Sequence, residues 1–234
     1  MKTVAFFNNK GGVGKTTLVY HLAWMFSHIG IKTVAVDLDP QSNLTSMFLD
    51  ERSIEGLWEL GSPEKTILSS IRPIIDGTGD ISPPPTIQIQ DRLHLIAGDL
   101  GLSAFEDSLS LAWAQSIVEG GADIRKTTAF YRIIKAAAPD ENTLVLIDVG
   151  PNLGAINRAA LIASDNIVIP LAPDLFSLQG LRNLGPSLEK WKKTWGEIIA
   201  PHAARLKIDH PDADMKPAGY VIMQHGVREG RPVK

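Results

Sequence analysis

Chemistry concentrates in one short run of the 234-residue chain, Asn9-Lys10-Gly11-Gly12-Val13-Gly14-Lys15-Thr16-Thr17. Glycine at three of four successive positions lets the backbone turn tightly and aim its N–H groups at one point, which is how a loop cradles phosphate. From Gly14 onward the run fits the phosphate-loop pattern G-x-x-x-x-G-K-[ST], with Asn9 standing where the first glycine belongs. Lys15 is then placed to reach β- and γ-phosphate oxygens, the Thr16 hydroxyl to ligate Mg2+, and Thr17 to meet the α-phosphate. Gly11, Gly12, Val13 and Gly14 supply backbone around the same anion. Lys10 is the departure. A second ammonium at the loop's edge would crowd Lys15 unless it points away from the bound nucleotide or toward another one.

A phosphate loop also needs carboxylates near its metal and near an attacking water, at the C-terminal ends of neighbouring strands. Two stretches qualify. Val36-Asp37-Leu38-Asp39-Pro40-Gln41 carries two acids two residues apart, on one side of an extended segment, and Leu144-Val145-Leu146-Ile147-Asp148 is an apolar run that ends in an acid.

The elements that must position these residues are legible in outline. The run 3–8 is apolar, brief and followed by glycine, which reads as a buried parallel strand; Leu18, Leu22, Phe26 and Ile29 then recur at helical spacing up to Gly30. With a second strand over 32–40 this makes a right-handed βαβ unit. Beyond it, 53–60 and 63–75 read as helices and 76–90 as a turn-rich surface excursion. Strands are expected at 92–98, 143–151, 166–173 and 218–224, and helices at 102–118, 127–138, 155–163 and, begun by Pro186, 186–199. The alternation predicts an α/β fold of three layers, a mainly parallel sheet with helices on both faces.

Composition sets the bounds. Hydrophobic residues make up 44% and charged residues 21%, ordinary globular usage, and the length suits a single domain over 1–234. A net charge of −3 gives no general attraction to DNA or anionic lipid, so such binding would need a local basic patch. The chain has no cysteine, which excludes a disulfide framework, a thiolate metal or iron–sulfur site and a cysteine nucleophile. No charged leader precedes the first strand, and no apolar run reaches the ~18 residues that a bilayer span requires, so a cytoplasmic protein is expected.

Lys10 through Thr17 also spells K-G-G-x-G-K-[ST]-T. On that signature the sequence resembles the ParA/MinD family of deviant Walker A ATPases, the CobQ/CobB/MinD/ParA type of nucleotide-binding domain, with a P-loop NTPase fold. The likeness continues through 91–106, 166–181 and 219–228. It implies ATP/ADP and Mg2+ as ligands, and a homodimer in the ATP state in which Lys10 crosses to the partner's nucleotide. It makes Lys10, Lys15 and Asp39 the catalytic set, with Asp39 orienting the water, and gives Asp148 of the Walker B strand to Mg2+. Asp37 is assigned to Mg2+ through its water shell, because that ion dehydrates reluctantly. Met223 and Gln224 fall beside adenine, and Arg228 where the family often has arginine. The family's usual proline in the second switch is Gly150 here, a change expected to loosen that switch. Family members usually continue with another strand and helix, so the domain is expected to be truncated at its C-terminus.

The resemblance implies an ATPase switch that binds DNA non-specifically, meets a ParB-like stimulating partner and positions a plasmid, a chromosome or other cargo. Leu188, Trp191 and Trp195 share one face of the 186–199 helix, which leaves Lys190 and Lys193 toward solvent and Lys192 at the flank. These lysines suit DNA phosphates, and equally an ordinary solvated face. A MinD-like membrane-associated ATPase would need an amphipathic C-terminal helix that this chain does not contain, and a non-hydrolysing nucleotide-binding scaffold is the third reading. The missing cysteines exclude an iron-protein relative, and the histidines show no metal-ligand spacing. The cobyrinic acid a,c-diamide synthases are a more distant resemblance whose amidotransferase cysteine this chain cannot supply.

Overall fold

The computed structural model describes residues 1–58, 65–118, 120–223, 227–228 and 231–232. Strands β1 (Lys2–Phe6), β2 (Thr33–Asp37), β3 (Ile87–Gln90), β4 (Leu93–Ile96), β5 (Leu144–Asp148), β6 (Asn166–Leu171) and β7 (Lys216–Ile222) form a seven-stranded sheet in the order β3-β4-β2-β5-β1-β6-β7. All neighbours run parallel except β3, which is antiparallel to β4. A short pair, β8 (Val227–Arg228) with β9 (Arg231–Pro232), lies apart from it. The helices are α1 (Lys15–His28), α2 (Asn43–Phe48), α3 (Glu51–Trp58), α4 (Ile67–Ile75), α5 (Phe105–Ser116), α6 (Gly121–Thr127), α7 (Ala129–Ala137), α8 (Ala155–Ile162), α9 (Leu175–Thr194) and α10 (Ala200–Arg205).

Side chains alternate across the central strands. Ala5 and Phe7, Val34 and Val36, and Val145 and Ile147 face one layer with α4, α5, α7 and α8, whereas Phe6, Ala35 and Leu146 face the other with Val19 and Ala23 of α1 and Leu44 of α2. Burial on both faces is why these strands read as continuous apolar runs rather than alternating ones. Register does the positioning: Asp148 stands opposite Phe6 on one side and Asp37 on the other. The segments that leave β1, β2 and β5 therefore emerge level, at the C-terminal ends of the central strands.

Several elements differ from the expectations. The helix thought to begin at Pro186 begins at Leu175, because Asp174 caps it by accepting a 2.8 Å hydrogen bond from the Ser177 amide. Pro186 sits inside on the exposed side, four residues after exposed Arg182, where solvent can serve the carbonyl whose partner proline removes. The helix then passes through a π-turn over Trp195–Ile199 into α10. The expected helix at 102–118 is a 3-10 turn, Leu100–Ala104, followed by α5; the one at 127–138 is α7, and a short helix the sequence reading does not include, α6, precedes it. Ile87–Gln90, read as surface excursion, pairs with β4 as the edge strand β3. At the other edge, β7 is exposed along its whole length, and its register against β6 shifts beside Gly219.

Candidate active site

The glycine-rich loop connects β1 to α1. Gly12 and Gly14 take φ of 71° and 90°, in the left-handed region that costs a side-chain-bearing residue energy. Gly14 is also the N-cap of α1 and offers no capping side chain, so the first amides of the helix are left for an anion. The loop borders a cleft of about 610 Å3, lined by Gly11, Gly12, Gly14, Lys15, Thr16 and Thr17 on one side. Asp39, Gln41, Asn43, Ser46, Met47 and Pro151 line the other. Val13 is buried beneath the loop.

Lys15 is buried, and that burial lowers its pKa, with the charges of Asp148 and Asp39 acting in the opposite sense. Asp39 follows β2 and is fixed by its own turn, in which the Gln41 amide donates to Asp39 Oδ1 at 3.0 Å and the Ser42 amide to the Asp39 carbonyl at 2.8 Å. Asp37 is fully buried and does not line the cleft. Its Oδ2 accepts from the amide and hydroxyl of Thr45 at 2.8 and 2.7 Å, and its Oδ1 from the Asp39 amide at 3.2 Å. Both oxygens accept hydrogen bonds within the chain, which fits a charge behind the cleft better than a direct metal ligand. Thr45, absent from the sequence reading, is the hinge of this cluster: its hydroxyl also accepts from the buried Gly98 amide at 2.8 Å.

Asp148 is the acid whose environment asks for a cation. Both oxygens are buried and neither receives a hydrogen bond among the described residues, the Thr16 hydroxyl lying near without meeting hydrogen-bond geometry. Burial first, then the negative charge of Asp37, pushes its pKa up to about 8; burial pushes Asp37 to about 6. Orphaned carboxylate oxygens beside a threonine hydroxyl and a phosphate loop are an oxygen donor set of the kind Mg2+ takes, so Asp148 and Thr16 fit the metal expected of them.

Lys10 turns away from the cleft. Its ammonium forms an ion pair with Asp174 at the start of α9, and its amide donates to Asn8 Oδ1 at 2.9 Å. The Asn8 amide group in turn donates to the Pro170 carbonyl at 2.7 Å, so the loop is tied to the end of β6. The hydrogen bond from the Lys10 ammonium, then that from the Ser177 amide, lowers the pKa of Asp174. The sequence reading does not single out Asp174, although Asp directly before the apolar pair Leu175-Phe176 is an N-cap signal. Met223, expected at adenine, leaves β7 with its amide donating to the Leu171 carbonyl at 2.7 Å; its methyl stands 3.1 Å from where a Cβ on Gly14 would be. Gln224 lies outside the described residues, and Arg228 is described only as part of β8. Lys190, Lys192 and Lys193 are exposed on α9 while Trp191 and Trp195 are buried, the arrangement the spacing predicts; Lys192 donates to the Asp214 carbonyl at 2.8 Å. Among the described residues no cluster of His, Asp and Glu forms a separate metal site, and no helix is long and apolar enough to cross a membrane.

Comparison with known proteins agrees with this geometry. A family model described as an AAA domain matches residues 1–200. An uncharacterized protein of Methanocaldococcus jannaschii is 31% identical over 253 residues, covering 100% of this chain and 90% of its own. The chromosome-partitioning ATPase Soj of Thermus thermophilus is 29% identical over 192 residues, covering 81% of this chain and 62% of its own. Several other curated relatives are matched over only 42% to 64% of their length. Among solved structures, protein DIP2308 of Corynebacterium diphtheriae has a TM-score of 0.78 at 31% identity, over 88% of this chain and 70% of that one. Cobyrinic acid a,c-diamide synthase of Mycobacterium smegmatis with bound ADP and magnesium has a TM-score of 0.60 at 21% identity, over 95% and 74%, a likeness of fold alone. The signature loop and six of the seven strands of the sheet lie within the residues that the family model matches, and the chain belongs to the ParA/MinD family of P-loop ATPases.

Proposed function

We propose that the protein is an ATP-dependent dimerising switch that hydrolyses ATP, binds DNA non-specifically while ATP-bound and is reset by a ParB-like stimulating protein, so as to partition or position a plasmid, chromosome or other cargo. The observation that carries the reading is the convergence of Lys15, Thr16 and Asp39 on one cleft, with the orphaned carboxylate of Asp148 behind it. The relatives named above support it, since one is a partitioning ATPase and one neighbour of the same fold holds ADP and magnesium.

In this mechanism the loop amides and Lys15 hold the β- and γ-phosphates, and Asp39 accepts a hydrogen bond from the attacking water so that a lone pair faces phosphorus. Thr16 and Asp148 would hold Mg2+, which when bound would supply positive charge against that of the phosphates. Lys10 exchanges Asp174 for the nucleotide of a second copy, which makes association a condition of turnover. Lys190, Lys192 and Lys193 add their charges to those of the second copy for the phosphates of DNA, a contact that added salt weakens.

Size-exclusion with light scattering tests the reading, run without nucleotide, with ADP and with ATP, each with and without DNA at two salt concentrations. A dimer in ATP alone, retaining DNA at the lower salt, is expected. A monomer in every state, or turnover by a protomer shown to stay monomeric, overturns it.

A further inference from the structure

Segment 149–154, between Asp148 and α8, faces the water-orienting acid. A Cβ built on Gly150 would stand 3.4 Å from Asp39 Oδ1, and Pro151 lines the cleft. With Gly150, Pro151 and Gly154 in its sequence the segment has little internal fastening, and its anchors come from elsewhere. The buried side chain of Asn157, one turn into α8, donates to the carbonyls of Gly150 and Asn152 at 2.7 and 2.6 Å. The second anchor comes from α5. Glu106 accepts from the amides of Ala155 and Ile156, the latter at 2.9 Å, and so caps the first turn of α8, which its own N-cap residue, Gly154, cannot do. A Cβ on Gly154 would stand 2.3 Å from Glu106 Oε1, so glycine is what admits the carboxylate. Seven residues along the same helix, the Trp113 ring meets the Arg158 guanidinium at 4.5 Å, which fastens the next part of α8 to α5.

We infer that Glu106 is a positioning residue for hydrolysis: a carboxylate outside the cleft that holds segment 149–154, and with it the geometry around Asp39, in place for the γ-phosphate. The inference rests on the ATPase reading above. The physical reason is differential: Glu106 does not border the cleft, so it adds little to nucleotide binding, whereas a shift of the segment it pins displaces groups that matter only during bond breaking.

The test compares Glu106→Gln with the wild type in the full chain. Glutamine keeps the size and one acceptor oxygen but loses the charge and the second acceptor. We expect kcat for ATP to fall by about 10- to 100-fold with KM and ADP affinity unchanged, and amide hydrogen exchange to quicken in 150–156 and not in α1. Unchanged kcat with unchanged exchange overturns the inference. So does a parallel loss of kcat, nucleotide affinity and protection throughout α5 and α8, which would mark a residue that merely supports the fold. A wild-type protein that turns over no ATP under any condition refutes the ATPase reading instead; exchange alone then decides, quickening at 150–156 supporting the anchor and no change overturning it.

Discussion

Thr45→Val isolates the buried cluster behind the cleft with almost no change of shape. Valine replaces the hydroxyl with a methyl, so two hydrogen bonds vanish: the donation to Asp37 Oδ2 at 2.7 Å and the acceptance from the Gly98 amide at 2.8 Å. Asp37 keeps the Thr45 and Asp39 amides, but the Gly98 N–H is left buried without an acceptor. A stranded buried donor costs about 1–3 kcal/mol and a lost bond to a charged group about 1.5–3 kcal/mol; since one relaxation eases both, we take about 3 kcal/mol in all. For a chain of this size that corresponds to a fall of roughly 6–12 °C in Tm. Thr45→Ser, which keeps the hydroxyl and loses one methyl, should cost only about 1 kcal/mol. Thermal and urea unfolding of the metal-free proteins would measure both. A Thr45→Val protein within a degree or so of wild type, or a serine variant as damaged as the valine one, would refute the reasoning.

Other outcomes follow from the same geometry. Asp39→Ala should still dimerise with ATP but lose about 10²–10⁴-fold in kcat, the range for a positioned acid or base; unchanged turnover, measured by phosphate release, would remove its water-orienting role. Gly14→Ala places a side chain at φ 90° and against the Met223 methyl, so a stability loss of about 1–2 kcal/mol is expected together with weakened ATP binding by calorimetry. Asp148 and Asp37 hold protons in the folded state up to about pH 8 and about pH 6, well above the usual carboxylate range. The folded state therefore binds more protons than the unfolded one in that window, so metal-free stability should fall as pH rises from about 4 to about 8. Mg2+ with ADP should flatten the decline, and a pH-independent melting curve for the metal-free protein would contradict the burial of the pair.

The phosphate loop and the central strands were legible because each is a local pattern: glycines at fixed spacing before Lys15 and Thr16, and apolar runs buried on both faces. The failures have identifiable causes. Pro186 looks like a start when seen alone, and only the capping bond at Asp174 shows that α9 begins well before it, at Leu175. At six residues each, α2 and α10 are too short to display a periodicity. The alternation of Ile87-Gln88-Ile89-Gln90 follows a run of prolines and turn formers that hid a strand at the sheet edge. The site itself divides the same way. Lys15, Thr16 and Asp39 carry their chemistry in their neighbours, whereas Thr45 and Glu106 act on Gly98 and Ala155, about 50 residues distant in the chain, through contacts that no spacing rule announces.

The outer rim at β7 has a consequence for how copies of this chain behave at high concentration. Pro217 withholds a donor, Lys216 brings a charge, and the irregularity beside Gly219 bends the hydrogen-bonding row, three devices that discourage a foreign strand from adding on. Tyr220, Val221 and Ile222 have none of these guards, and all three are solvent-facing. Any self-adhesion of the rim should therefore start at its far end and spread poorly toward the guarded half.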